Sequence, residues 1–223
     1  MEKTIALLHT SFVFLNVEKS LMQMLSEVLS KVRSYNIVDD ALLLDVISEG
    51  RVTPAITRRV CFYCMAAEAR GANAILSLCS SVGDAVDVAR NLVRIPILKI
   101  DDAMTERAVS AAETIGVLAT VPSTLDPTIR LLQSKANLIH KQVKAEPILC
   151  EGAFDILMSG AKEKHDQIVL EKARSVAGRF DVLLLAQASM ARLGDKMSEE
   201  VAKPVFSSPK LFVEKVRQLV EEL

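Results

Sequence analysis

The sequence predicts an α/β protein made of two similar parallel-sheet halves, and three observations carry that expectation. Short apolar runs alternate with segments of helical period along the 223 residues, as in βαβ units joined by right-handed crossovers. The pattern restarts midway: Thr114-Ile115-Gly116-Val117-Leu118-Ala119-Thr120 echoes Thr4-Ile5-Ala6-Leu7-Leu8-His9-Thr10, an offset of 110 (114 − 4). A second echo sets Ile75–Cys79 against Leu183–Gln187, and Cys79 and Gln187 each stand 17 residues before a proline, Pro96 and Pro204. Two half-domains, 1–113 and 114–223, are therefore expected, with 208–223 a candidate helix contribution to the first. Pseudo-twofold symmetry would relate them, with Cys79 and Gln187 facing each other across an active-site cleft.

Thr4–His9 reads as the first strand, and Leu21, Leu25, Val28 and Val32 mark a helix over about 18–33. Ala41–Val46 reads as a second strand. Thr53 as N-cap and Pro54 at the first helical position open a helix to Arg70. Ile75–Leu78 is a buried strand, 84–92 a helix, Pro96–Ile100 a strand and 102–113 a helix. In the second half, 114–120 is a strand and 124–135 a helix, followed by a strand at 143–149 and helices at 152–158 and 163–178. Val182–Ala186, a short helix, the strand Pro204–Phe206 and a helix begun by Ser208 and Pro209 complete the chain.

Composition bounds the function. Half the residues are hydrophobic, a quarter charged, and the net charge is −1, so neither nucleic acid nor another polyelectrolyte is an expected partner. No apolar run reaches membrane-spanning length, and the one near the N-terminus is too short for a signal peptide. The four cysteines show no disulfide-framework spacing, which fits a reducing cytoplasm. Cys61 and Cys64 form a lone CxxC inside a helical pattern and are read as packing residues, with no metal site expected. His140 and His165 lie in polar surroundings and are read as surface residues.

Chemistry is concentrated at Ala74–Gly83, AILSLCSSVG. A thiol at the carboxyl end of a parallel strand lies where α/β sheets bind ligands. The helix that follows offers free N–H groups to an anion. A helix N-terminus lowers a thiol pKa, and so does a nearby imidazolium.

The stretches LLHTS (7–11), ILSLCSSVG (75–83), GVLATVPST (116–124), ILCEGAFD (148–155) and LLLAQASM (183–190) together resemble the aspartate/glutamate racemase superfamily. That superfamily includes maleate isomerase and arylmalonate decarboxylase. The resemblance implies two α/β halves, no cofactor, and a small carboxylate as substrate; it leaves homodimer formation open. It implies Cys79 as the first catalytic cysteine, with His9 beside it, and Glu151 as an active-site acid. Ser80, Ser81, Val82, Thr120, Ser123 and Thr124 would hold a substrate carboxylate, with Thr10, Ser11, Ala188 and Ser189 lining the site.

The departure is at the second cysteine, where Gln187 stands. Two-base racemisation needs a proton acceptor on one face of the α-carbon and a donor on the other. An amide does not titrate near neutral pH. The expected enzyme is thus a cofactor-independent isomerase using the single Cys79 thiolate, by one-base proton transfer or by addition to an activated double bond. The alternatives are a decarboxylase of an activated diacid and a carboxylate-binding protein that has lost its chemistry.

Overall fold

The computed structural model describes residues 3–17 and 19–223. Its elements run β1 (Thr4–His9), α1 (Ser20–Leu29), β2 (Arg33–Val38), α2 (Leu42–Glu49), α3 (Pro54–Ala69), β3 (Ala74–Ser77), α4 (Gly83–Ala89) and β4 (Ile97–Lys99). They continue with α5 (Asp102–Ala111), β5 (Thr114–Ala119), α6 (Leu125–Leu138), β6 (Lys144–Leu149), α7 (Ala153–Met158), α8 (Lys162–Val176), β7 (Val182–Leu185), α9 (Gly194–Val201), β8 (Val205–Ser207) and α10 (Ser208–Glu222). Short 3-10 turns at Ser80–Val82 and Ala188–Leu193 follow β3 and β7.

Two compact units result: residues 1–100 with 212–223, and residues 101–211. The division falls at Ile100 rather than at 113. The reason is packing: Met104, Ala108 and Val109 of α5 join a core with Ile115 and Val117 of β5. Phe212, Val213 and Val216 of α10 join the core around Ile5 and Leu7 of β1.

Each unit is a four-stranded parallel sheet with one topology, β2-β1-β3-β4 in the first and β6-β5-β7-β8 in the second. The pleat sorts the side chains. In the first unit Ile5, Leu7, Leu76 and Leu78 face α1 and α10, while Ala6, Leu8 and Ile75 face α3 and α4. In the second, Ile115, Val117, Val182 and Leu184 share a core with α5 and α6, while Leu118, Leu183 and Leu185 share one with α8 and α9.

The expected strand Ala41–Val46 is a helix, α2. Leucine is a strong helix former, Leu42 and Val46 are buried one turn apart, and Gly50 closes the helix in the left-handed region at φ 66°. The strand is instead β2, whose residues at the sheet edge are exposed or half-buried and carry little apolar signal. The first helix spans Ser20–Leu29 rather than 18–33, and residue 18 lies outside the described residues.

The end of β1 is tied down by the same region. Asp39 N–H donates to the His9 carbonyl (3.1 Å) and Leu43 N–H to that of Thr10 (3.2 Å). Burial pushes the Asp39 carboxyl up, but hydrogen bonds from Tyr63 (2.6 Å) and Arg59 (Nε, 2.9 Å) outweigh it and leave Asp39 below the ordinary carboxylate range.

Gly116 stands at the repeat position of Ala6 because the second unit closes more tightly there. A Cβ on Gly116 would lie 2.7 Å from Phe180 Cδ2, 2.8 Å from Leu183 Cδ2 and 2.9 Å from Ile148 Cδ1. Gly116→Ala is expected to cost about 1–3 kcal/mol by overpacking. Urea unfolding measures this, and an unchanged midpoint would contradict the close approach.

Candidate active site

Cys79 is the last extended residue after β3 (φ −146°, ψ 122°), immediately before the 3-10 turn Ser80–Val82. It is half-buried, whereas the other three cysteines are buried. Burial pushes its thiol up. The Thr10 hydroxyl, the Ser81 N–H and hydroxyl, and the Val82 N–H pull it part of the way back, leaving it above the ordinary thiol range. Each of these groups favours the thiolate over the thiol. The lowered thiol pKa expected at a helix N-terminus is not what the structure shows, because loss of hydration outweighs the donors. Ser81 and Val82 are buried; Ser80 and Ser11 are half-buried, and the Ser11 hydroxyl accepts from Val13 N–H (3.3 Å).

His9 does not pair with Cys79. Its Nε2 lies 2.9 Å from Asn36 Oδ1 on β2, and its buried Nδ1 has no partner among the described residues. The pleat explains the difference. His9 continues the face of Ile5 and Leu7, whereas Thr10 continues that of Ala6 and Leu8, the face on which Cys79 packs. Burial lowers the His9 imidazole and the Asn36 hydrogen bond only partly offsets this, so His9 is neutral at pH 7. Asn36 is thus the partner of His9, although nothing in an exposed edge strand marks it in the sequence.

The second unit repeats the backbone arrangement with different chemistry. Gln187 is the last extended residue after β7 (φ −133°, ψ 135°), before its own 3-10 turn. Its Oε1 accepts from Thr120 N–H (2.5 Å), the Thr120 hydroxyl (3.0 Å) and Val121 N–H (3.3 Å). Thr120 is to β5 what Thr10 is to β1. Thr124 is buried, with its carbonyl accepting from the Thr128 hydroxyl (2.8 Å), and the buried Ser123 hydroxyl has no partner among the described residues. The Ser189 carbonyl accepts from Arg192, and the Ala188 side chain lies outside what is described.

Glu151 stands exposed after β6, and β5 separates β6 from β7. Two strand spacings, roughly 10 Å, therefore divide it from Gln187, and it has no hydrogen-bond partner among the described residues. His140 is exposed, but His165 is buried rather than at the surface. It lies on the inner face of α8 with Val169, and its Nδ1 is 2.8 Å from Asp166 Oδ1. Its polar sequence neighbours occupy the solvent face of an amphipathic helix and conceal its position.

Cys61 and Cys64 pack in the core beneath α3; burial raises Cys61 and, helped by the neighbouring Cys61, pushes Cys64 up to about 12. Burial pushes Cys150 up to about 11, partly offset by Lys172. Lys99, buried at the end of β4, was not singled out by sequence. Its Nζ donates to Asp87 (2.8 Å) and would lie 3.8 Å from a Cβ on Gly83, so it supports the start of α4 directly after the Cys79 turn.

A sequence profile of the Asp/Glu/hydantoin racemase family matches residues 16–216. No curated protein sequence matches the chain. Among solved structures, the chain is similar to a proposed Asp/Glu racemase of Yersinia pestis, with TM-score 0.75, 10% identity, and 98% of this chain and 99% of that one covered. It is similar to a glutamate racemase isoform of Bacillus anthracis, with TM-score 0.67, 14% identity, and coverage of 99% and 82%. It is also similar to an allantoin racemase of Klebsiella pneumoniae, with TM-score 0.60, 16% identity, and coverage of 99% and 88%. At these identities the likeness speaks for the fold. No helix among the described residues is long and apolar enough to cross a membrane.

Cys79 is expected to be the first thiol alkylated in the folded protein, since it combines partial exposure with donors that stabilise the thiolate. Iodoacetamide labelling with peptide mapping checks this. Faster labelling of Cys61, Cys64 or Cys150 would contradict it.

Proposed function

The chain belongs to the Asp/Glu/hydantoin racemase family, and we propose that it is a cofactor-independent isomerase of a small carboxylic acid working through one thiol, Cys79. The observation that carries this reading is the contrast between the two strand ends. Cys79 is the half-exposed cysteine, ringed by donors, and Gln187 holds the equivalent place in the second unit.

In one-base transfer, the Cys79 thiolate takes a proton from the carbon next to the substrate carboxylate. The electron pair moves onto the carboxylate as an enediolate. In a conjugated acid the Cys79 thiol then returns the proton to the next carbon but one, which moves the double bond; return to the same face of the same carbon gives only exchange with solvent. In the addition route, the thiolate forms an S–C bond with an activated double bond, the resulting single bond rotates, and elimination restores the thiolate. Both routes need a thiolate, and the donors from Thr10, Ser81 and Val82 hold it in place as it forms.

A second reading, a carboxylate-binding protein without turnover, is favoured by one observation: burial leaves the resting thiol above its ordinary range. The two readings differ in whether carbon-bound hydrogen exchanges with solvent.

The experiment is incubation with a panel of small mono- and dicarboxylates in D₂O, followed by NMR. Deuterium incorporation or double-bond isomerisation is expected for at least one acid, falling about 10²–10⁴-fold in Cys79→Ser. Because the resting thiol is protonated, the rate should rise with pH through neutrality, about tenfold per unit below the thiol pKa. Turnover that survives Cys79→Ser, or the absence of turnover across the panel, would contradict the isomerase reading. L-aspartate and L-glutamate should stay unracemised on chiral chromatography, as Gln187 cannot supply a second proton. Rapid racemisation would show that another residue supplies it.

A further inference from the structure

The orientation of the Gln187 amide is settled by chemistry. A backbone N–H can only donate, so the atom facing the N–H groups of Thr120 (2.5 Å) and Val121 (3.3 Å) is the acceptor, Oε1. The Thr120 hydroxyl, at 3.0 Å, adds a third donor to the same oxygen. The amide plane is thereby pinned, and its nitrogen points away from all three. Gln187 is half-buried, and Nε2 has no hydrogen-bond partner among the described residues.

We propose that Gln187 fills the strand-end donor cradle of the second unit with its own carbonyl. It thereby presents its NH₂ as a fixed donor to an acceptor oxygen of the bound acid. This rests on the reading that the protein binds a small carboxylic acid, and it adds which group of that acid the second unit recognises. The N–H group of Thr120, a residue expected from sequence to hold a carboxylate, is already taken by Oε1, together with that of Val121. What remains for a ligand on this side chain is Nε2.

Two consequences follow. A pinned amide is a ready-made donor that needs no reorganisation when a carboxylate, carbonyl or hydroxyl oxygen arrives. An ammonium group in the same place would meet donor against donor. A site of this kind selects oxygen acids over amino acids by leaving its own donor unpaired with the wrong ligand.

The test is ¹H–¹⁵N NMR of the Gln187 side-chain amide, identified by the signal pair lost in Gln187→Met. The probes are malonate, maleate, malate and oxaloacetate, with L-aspartate for contrast. At least one oxygen acid is expected to shift the pair, and L-aspartate to shift it less. Gln187→Glu keeps an acceptor for Thr120 and Val121 but removes the donor, and Gln187→Met is neutral and removes both. Each should weaken binding of that acid by about tenfold, as for one lost hydrogen bond to a charged group. Thermal unfolding of each variant checks that it is folded. A signal pair that none of the oxygen acids moves overturns the proposal, as does either folded variant binding as tightly as wild type. An acid that shifts the pair without exchanging hydrogen in D₂O upholds this assignment while removing the isomerase reading. Exchange without any shift does the reverse.

Discussion

The two-residue period of the pleat decides what stands at the ends of the strands. In each unit a threonine leaves the first central strand on the same face as the residue that ends the second central strand. In the first unit this brings the Thr10 hydroxyl to Cys79; in the second it brings Thr120 to Gln187. Both strand-end residues are extended, both precede a 3-10 turn, and both turns lead into a helix that starts with glycine, Gly83 or Gly194. The scaffold is repeated, and the chemistry placed on it is not. One copy surrounds a thiol, which can titrate; the other surrounds an amide oxygen, which cannot.

Two opposing effects act on that sulfur. Burial disfavours its charged form, and the polar groups of Thr10, Ser81 and Val82 favour it. Burial prevails in the resting protein, so the donors are an arrangement prepared for a thiolate rather than one that produces it beforehand. Such an arrangement suits a residue that gives and takes a proton within one cycle, because neither protonation state is trapped.

Much of the architecture was legible in the sequence because the repeat and the central strands leave strong traces. β1, β3, β5 and β7 are buried on both faces and appear as apolar runs. The edge strand β2 was not legible, since exposure leaves it without an apolar pattern, and the leucines of α2 drew the strand reading to themselves. At the site, Cys79 and Gln187 could be located by their strand-end positions. The partner of Cys79 was misread: His9 is the more reactive residue type, but counting alternate positions from Ala6 and Leu8 leads to Thr10. Val121 and Asn36 left no signal, because one acts through its backbone and the other sits at an exposed edge. His165 was hidden by the polar face of its own helix.

The central claim is that Cys79 is the working thiol and that the ring of donors begun by Thr10 stabilises its ionised form. Titration of the Cys79 ¹³Cβ resonance in wild type and in Thr10→Val tests it most directly. The account predicts a wild-type midpoint above the ordinary thiol range, moving further up when the Thr10 hydroxyl is removed. A midpoint at or below the ordinary range, or one that Thr10→Val leaves unmoved, would contradict it.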